Sequence, residues 1–328
     1  MGPKRSCKNA LLLTLAVLAL CAAPTIAVAA DCLAETFWTD ATGSWFVATN
    51  WLNNQLPTVA IGAQINNGGT AQVQGPGAVA CDLTVGYNAT ESGTVSVDTG
   101  SLAIGHEAEI GAHGKGSLIV KNGGGVTAQF LTIGALGGSS SSGTVSVSAA
   151  RSTFTATAGV YVGGDPGGAG GIGLLTVTSG GTVSAASVYV FPSGTLTGNA
   201  SVNITANYGM TVDGTLHPSG TLSITGNAAG NLTLHSSAAM LCNVVPTSAD
   251  NVDIVSAGAL LNGRLAVTMT GAFTPGTRYT LLHAASGRIN DSRFSSVSIN
   301  FPPGQGFSPQ INYDATHVYL DLVPNTGP

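Results

Sequence analysis

The sequence predicts an all-β fold, a parallel and right-handed β-helix (β-solenoid) with a β cap at each end. Composition is the first observation: Gly supplies 46 of 328 residues, while charged residues make up 8% and aromatic residues 6%. The remainder is rich in Val, Thr, Ser and Ala, which are typical of short strands and tight turns. The second observation is an internal repeat of about 25 residues that contains only strands and turns.

Residues 1–30 have the features of an export signal. Lys4, Arg5 and Lys8 form a basic start, an apolar run covers residues 11–20, and Ala27-Val28-Ala29 is a small-residue cleavage site. We therefore expect the mature chain to be secreted or held at the cell surface.

Two other interpretations of this segment are weaker. A transmembrane anchor would need a longer apolar run than the one that Pro24 ends. A lipoprotein acylated at Cys21 would need a small residue before the cysteine, where Leu20 stands.

Charge narrows the range of partners. The chain has 10 basic and 15 acidic residues, a net charge of -5, and three of the basic residues would leave with the signal. A chain this acidic is a poor partner for nucleic acid or for an anionic membrane. We expect no nucleic acid partner and no transmembrane segment in the mature chain.

Three cysteines follow the predicted signal: Cys32, Cys81 and Cys242. In an oxidising compartment, a bridge from Cys32 to Cys81 would tie the mature N-terminus to the first repeat. Three buried free thiols are an equally good interpretation.

The repeat occupies residues 81–245. Its core is two apolar residues around a polar one, followed by Gly, as in Leu83-Thr84-Val85-Gly86, Leu131-Thr132-Ile133-Gly134 and Val160-Tyr161-Val162-Gly163. A second alternating strand follows each copy, as in Thr94-Val95-Ser96-Val97, and then a third short apolar stretch. Three strands per repeat describe one coil, so we expect about six or seven coils that bury Val, Ile and Leu against one another.

The flanks differ from the repeat and are predicted to be caps. Residues 31–80 hold Trp38, Trp45 and Trp51, which are either the core of an N-terminal cap or a sugar-stacking surface. Residues 246–328 hold longer strands around Tyr279 and Tyr319 and are predicted to be a C-terminal β cap.

The chain resembles secreted bacterial proteins with autotransporter-associated β-strand repeats or PEP-CTERM-associated repeats. The resemblance lies in Phe37-Trp38-Thr39-Asp40-Ala41-Thr42-Gly43-Ser44-Trp45, and in Pro275-Gly276-Thr277-Arg278-Tyr279-Thr280-Leu281-Leu282 near the C-terminus. It implies a passenger-like module, which we expect to lack the barrel that follows an autotransporter passenger. A sortase-like signal in Val323-Pro324-Asn325-Thr326-Gly327 is a weak match, so we expect release or retention by a partner.

Few ionisable residues are available for catalysis, and we predict no catalytic residue, no cofactor and no metal. Glycoside hydrolysis needs two carboxylates in one cleft, whereas the acids are predicted to lie singly, mostly in turns. They are Asp82, Asp98, Glu107, Glu109, Asp165 and Asp213.

The densest group is His106-Glu107-Ala108-Glu109 with His113. We interpret it as a solvated turn whose alternation divides it between two faces, and a metal or acid/base site is the alternative. The pairs Asp213 with His217, and Asp250 with Asp253, are weaker candidates.

The functional hypothesis is a non-catalytic module for adhesion or surface coating, whose partner is a surface glycan or a component of the cell envelope. A Thr ladder at Thr153, Thr155 and Thr157 could contribute to such a surface. The alternative is a carbohydrate-active β-helix enzyme, a lyase or hydrolase. Carboxylates gathered in one groove would favour that alternative.

Overall fold

The structure, a computed structural model, describes residues 32, 34–136, 141–226 and 230–325. Among the described residues 59% are in strands and 3% are helical, and parallel strands stack into a β-solenoid of about nine turns, which confirms the predicted all-β solenoid. The predicted export signal and the end of the sortase-like segment lie outside the described residues.

Each turn passes through three flat faces, and successive turns pair as parallel strands. The first face consists of Ala34–Phe37, Ile61–Ile65, Leu83–Val85, Glu107–Ile110, Met210–Val212, Leu232–Leu234 and Ala259–Leu260. The second face consists of Thr42–Ser44, Asn67–Val73, Ser92–Asp98, Lys115–Lys121, Ser142–Ser148, Ile172–Thr178, Gly194–Gly198, Thr215–Pro218, Ala239–Val245, Arg264–Met269 and Ser296–Asn300. The third face consists of Ala78–Ala80, Ser101–Ile104, Ser201–Ile204, Thr221–Thr225, Asn251–Ile254 and Arg278–Ala284.

Three longer strands run round the corner from the third face to the first: Gly125–Ile133, Thr153–Val162 and Thr182–Val190. Short strands outside the faces are Gly164–Asp165, Gly168–Ala169 and Ser248–Ala249, and the 3-10 helices are Ala48–Asn50, Leu52–Asn54 and Ile289–Asp291. The antiparallel strands Phe307–Tyr313 and His317–Pro324 form a C-terminal hairpin.

The core is a set of columns in which one apolar residue per strand rests on its counterpart in the next turn. On the second face, this column is Val95, Leu118, Val145, Leu175, Leu196, Leu216, Met240 and Leu265. Each of these side chains is fully buried. A single turn could not bury them, so the stacking of turns carries the stability of the rod.

Glycine makes the corner between the first and second faces. Gly86, Gly111, Gly134 and Gly163 have φ values of 73°, 73°, 67° and 79°, a left-handed conformation that glycine adopts without steric cost. At these four positions, the positive φ of the turn therefore explains the glycine that ends the repeat core.

The stacked strands extend beyond residues 81–245 in both directions, from Ala34–Phe37 to Ser296–Asn300. The rod has about nine turns, more than the six or seven that the repeat predicted, because segments assigned to the caps also form coils. The described residues from Cys32 onward belong to one compact unit.

The three tryptophans form the core of the N-terminal end. Trp38, Trp45 and Trp51 are only 3%, 2% and 1% exposed, and the Trp51 ring packs edge-on against the other two at 5.0 and 4.9 Å. These rings are therefore unavailable to stack on a sugar.

The C-terminal end is covered by antiparallel strands. His317–Pro324 pairs with Arg278–Ala284, the last strand of the third face, and then with Phe307–Tyr313. Ile311 and Tyr313 of this hairpin are partly buried against the core. Covering the last turn in this way protects an otherwise open sheet edge. Among the described residues, no helix has the length and apolar character needed to cross a membrane.

A disulfide joins Cys32 to Cys81, and Cys242 is a buried free thiol. The bridge closes a loop with a sequence separation of 49 residues. It ties the segment before the first strand to the third turn, next to the start of Leu83–Val85.

Reduction of this bridge is expected to destabilise the N-terminal turns by about 2–4 kcal/mol, because the unfolded segment regains the freedom that the bridge removes. Urea unfolding with and without a reductant, read out by hydrogen exchange of residues 34–80, measures the effect. A Cys242→Ala variant should show the same loss on reduction. An unchanged exchange rate in residues 34–80 would contradict the prediction.

Candidate functional site

A groove of about 640 Å³ lies on the first face of the N-terminal half of the rod. Four carboxylates line it: Glu35, Asp82, Glu107 and Glu109. His106, Gln64, Gln129, Thr84, Tyr87 and Phe130 complete the lining. The groove is therefore acidic and has two aromatic side chains.

The strand Glu107–Ile110 explains why two of the acids point the same way. Ala108 and Ile110 are fully buried, so the alternation of the strand turns Glu107 and Glu109 outward together. The interpretation of this group as a solvated turn divided between two faces was wrong, since His106, Glu107 and Glu109 line one groove. His106 stands in the turn before the strand and lines the same groove.

Register between turns brings the other acids to the same place. Leu83 pairs with Ala108, so Asp82 lies beside Glu107, and its Oδ1 accepts a hydrogen bond from the Glu107 backbone N–H at 3.1 Å. Glu35 pairs with Gly62 of the next turn, and Ala63 pairs with Leu83 of the turn after that. Glu35 therefore lies two turns before Asp82 at the same position across the face. The prediction that Asp82, Glu107 and Glu109 lie singly was wrong, because one strand turns both glutamates outward and the stacking of turns brings Asp82 beside them.

Hydrogen bonds and burial fix this group. The buried Thr132 hydroxyl, 0% exposed, donates to Glu107 Oε1 at 2.7 Å. His106 Nδ1 lies 3.5 Å from Asp82 Oδ1. Glu107 is thus held in place by a partner on the following turn.

The carboxylates raise the pKa values of one another. Burial contributes most to a pKa of about 7 for Glu109, and the charges of Glu107, Asp165, Asp82 and Glu35 add to it. Burial is also the main cause of the raised pKa values of Glu107 and Glu35. Near neutral pH, Glu109 can therefore both donate and accept a proton.

Asp82 and His106 also lie with the sulfur atoms of Cys32 and Cys81, all four ligand-type atoms within 4.8 Å of one another. The two cysteines are joined as a disulfide, and a disulfide sulfur does not have the thiolate character that metals bind. Only one carboxylate and one imidazole remain in this group, which is fewer than a structural metal site uses.

Aromatic side chains continue from the groove along the first face. The ring of Phe130 lies 6.4 Å from Tyr161, and that of Tyr161 lies 6.5 Å from Phe191 in a stacked orientation. Tyr189 packs on Phe191 at 4.3 Å. We call Phe130, Tyr161, Tyr189 and Phe191 the aromatic run.

Asp213 lies at the far end of the aromatic run. Its carboxylate accepts hydrogen bonds from the Tyr189 hydroxyl, from Ser237 at 3.0 Å and from His235 Nδ1 at 2.9 Å. Burial would raise the pKa of Asp213, but these three hydrogen bonds lower it. The predicted partner, His217, instead accepts a hydrogen bond from Asn243 at 3.3 Å.

The remaining predicted candidates do not line the groove. Asp250 accepts hydrogen bonds from Asn243, whereas Asp253 pairs with His283 at 2.7 Å. Asp165 accepts from the backbone of its own turn. The ring of His113 packs against Tyr87. The predicted Thr ladder, Thr153, Thr155 and Thr157, is partly buried to exposed and lies on the third face and its corner.

No protein-family model matches this chain, and no curated protein matches it. The resemblance to autotransporter-associated and PEP-CTERM-associated repeats therefore stays a prediction from the sequence.

Proposed function

We propose that this protein is a secreted or cell-surface β-solenoid that binds a glycan on its first face without cleaving it, as an adhesion or surface-coating module. The observation that carries the proposal is the continuity of the acidic groove with the aromatic run on one face. The predicted export signal and the repetitive rod are consistent with a role outside the cell.

The chemistry of this face suits a polysaccharide. Aromatic rings offer flat apolar contact to the C–H faces of sugar rings, and carboxylates accept strong hydrogen bonds from sugar hydroxyls. From the turn of Glu109 to that of Asp213, the face extends over four steps of about 4.8 Å, or about 20 Å. A linear chain lying along the rod could contact every aromatic residue of the run.

A rigid frame supports binding with little ordering cost. Parallel strands of consecutive turns pair throughout the first face. Side chains on such a sheet are already positioned when the ligand arrives, which reduces the entropy lost on binding. A partner in the cell envelope that carries a glycan would be held by the same surface.

Glycoside hydrolysis is the second candidate function, and the gathering of carboxylates favours it. Glu107 and Glu109 are two residues apart on one strand, so their Cβ atoms are about 7 Å apart, compatible with the roughly 5–9.5 Å between catalytic carboxyl groups. The raised pKa of Glu109, about 7, would keep a proton available for a leaving group.

The test is co-sedimentation of the purified full chain with a panel of insoluble polysaccharides, combined with analysis of soluble products. We expect retention without release of oligosaccharides. A Phe130→Ala, Tyr161→Ala double variant should bind about tenfold more weakly, since each lost aromatic contact is worth about 0.5–1.5 kcal/mol. Phe301→Ala is the control, because Phe301 is 37% exposed and lies outside the aromatic run.

The outcomes separate the two functions. Release of shortened oligosaccharides that stops in a Glu109→Gln variant would replace the binding module with a hydrolase. If the chain binds none of the polysaccharides, glycan recognition by this face is contradicted. The same conclusion follows if the aromatic double variant binds as tightly as the unaltered chain.

A further inference from the structure

The acidic groove has no basic residue to balance its charge. None of its lining residues is Lys or Arg, and the sequence has neither between Lys8 and Lys115. His106 is the single imidazole in the lining. Four carboxylates in one groove thus lack a permanent positive partner within the described residues.

Two aromatic residues lie beside these carboxylates. Tyr87 and Phe130 line the same groove as Glu107 and Glu109. An aromatic ring attracts a cation to its face, and a carboxylate forms charge-assisted hydrogen bonds with an ammonium group. Rings and carboxylates together form a surface that favours a positively charged amine.

We propose that the glycan bound by the first face carries free amino groups, so that its ammonium groups lie in the acidic groove while its sugar rings contact the aromatic run. This inference rests on the proposed function and names the ligand class of the same site. It excludes polymers of uronic acids and sulfated sugars as direct ligands, because their charges would be repelled by the groove.

Proton release on binding would distinguish this acidic groove from a groove that is only polar, and Glu109 is the source of the proton. Its pKa of about 7 means that Glu109 is mostly protonated in the free protein at about pH 6, where primary amino groups are mostly charged. An ammonium beside Glu109 favours the ionised carboxylate. Binding at this pH should therefore release protons.

The experiment is calorimetry on the full chain with three oligosaccharides of matched length, made of glucosamine, N-acetylglucosamine or galacturonic acid, with EDTA present. At about pH 6, we expect glucosamine oligomers to bind about tenfold more tightly than N-acetylated ones, because only the free amine is charged and can pair with a carboxylate of the groove. Titrations in two buffers with different ionisation enthalpies should show proton release.

A Glu107→Gln, Glu109→Gln variant should lose both the preference and the proton release. Asp98→Asn is the control: Asp98 pairs with Lys121 at 3.4 Å on the second face and should leave both unchanged. Circular dichroism of both variants confirms that they are folded.

Equal binding of the glucosamine and N-acetylglucosamine oligomers would overturn the amine proposal and leave glycan binding intact. Binding of the galacturonic acid oligomer only when calcium replaces EDTA would also overturn it, because the groove would then be a divalent cation site. Absence of binding by all three oligomers, together with a failure of the polysaccharide panel, would overturn the proposed function itself.

Discussion

Replacing Gly143 with alanine is expected to lower the free energy of unfolding by about 2–3 kcal/mol, although only one methyl group is added. A Cβ at this position would lie 2.0 Å from the carbonyl oxygen of Ile110, 2.6 Å from the backbone N of Gly134 and 2.8 Å from Ile133 Cγ2. Two of these atoms belong to the backbone, so they cannot move without shifting a whole turn.

Gly143 stands in a column with glycines of neighbouring turns. Gly93, Gly116, Gly173 and Gly194 occupy the same position on the second face, and each would place a Cβ within 2.5 Å of backbone atoms. Because turns stabilise one another, a displaced turn in the middle of the rod weakens the interfaces on both sides.

The measurement is the urea midpoint of Gly143→Ala, with hydrogen exchange of Lys115–Lys121 and Ile172–Thr178, the strands on either side of its own. Gly125→Ala is the matched control, since the nearest atom to a Cβ there is Thr153 Oγ1 at an ordinary 3.5 Å. The control should be neutral or slightly stabilising, because alanine restricts the unfolded chain. Equal midpoints for the two variants would show that the close approach at Gly143 is relieved at no cost.

The repeat core could be predicted from the sequence because its physical cause is local. Val, Ile and Leu alternate with polar residues where a strand has one buried face, and glycine follows where the backbone must turn with positive φ. Leu83-Thr84-Val85-Gly86 shows both features, and the structure places Leu83 and Val85 in the core and Gly86 at the corner.

The turns at both ends were harder to predict because they lack these local signs. In Ile61–Ile65 and Asn67–Val73 the strands follow one another closely, without the glycine that ends a repeat core. At the other end, Arg264–Met269 continues the second face between longer loops. Pairing with the neighbouring turn holds these strands in place, and pairing is not visible in a single strand.

The acidic groove was missed for a related reason. The outward alternation of Glu107 and Glu109 was a usable signal for one shared face, but Glu35 and Asp82 join them only through the register of three further turns. Loops of variable length separate the strands, so the register could not be counted along the chain. Asp213 illustrates the same point, since its partners His235 and Ser237 come from the next turn.

Trp51→Ala is expected to cost about 3–5 kcal/mol, because it removes the largest fully buried side chain of the N-terminal end and leaves a cavity. It also removes the hydrogen bond that Trp51 Nε1 donates to the carbonyl oxygen of Trp45 at 2.9 Å. Trp38 and Trp45 each lose an edge-on aromatic contact. The first turn should then open more often than the rest of the rod.

Opening of this turn would expose the paired edge beneath it, at Ile61–Ile65 and Asn67–Val73, and exposed parallel edges recruit other chains. We therefore expect faster hydrogen exchange in residues 34–73 and concentration-dependent aggregation on mild heating, with exchange in the central turns unchanged. Phe46→Ala is the control from the same segment, since Phe46 is already 40% exposed. If Trp51→Ala and Phe46→Ala had the same exchange profile, the tryptophan cluster would not be what keeps the end of the rod closed.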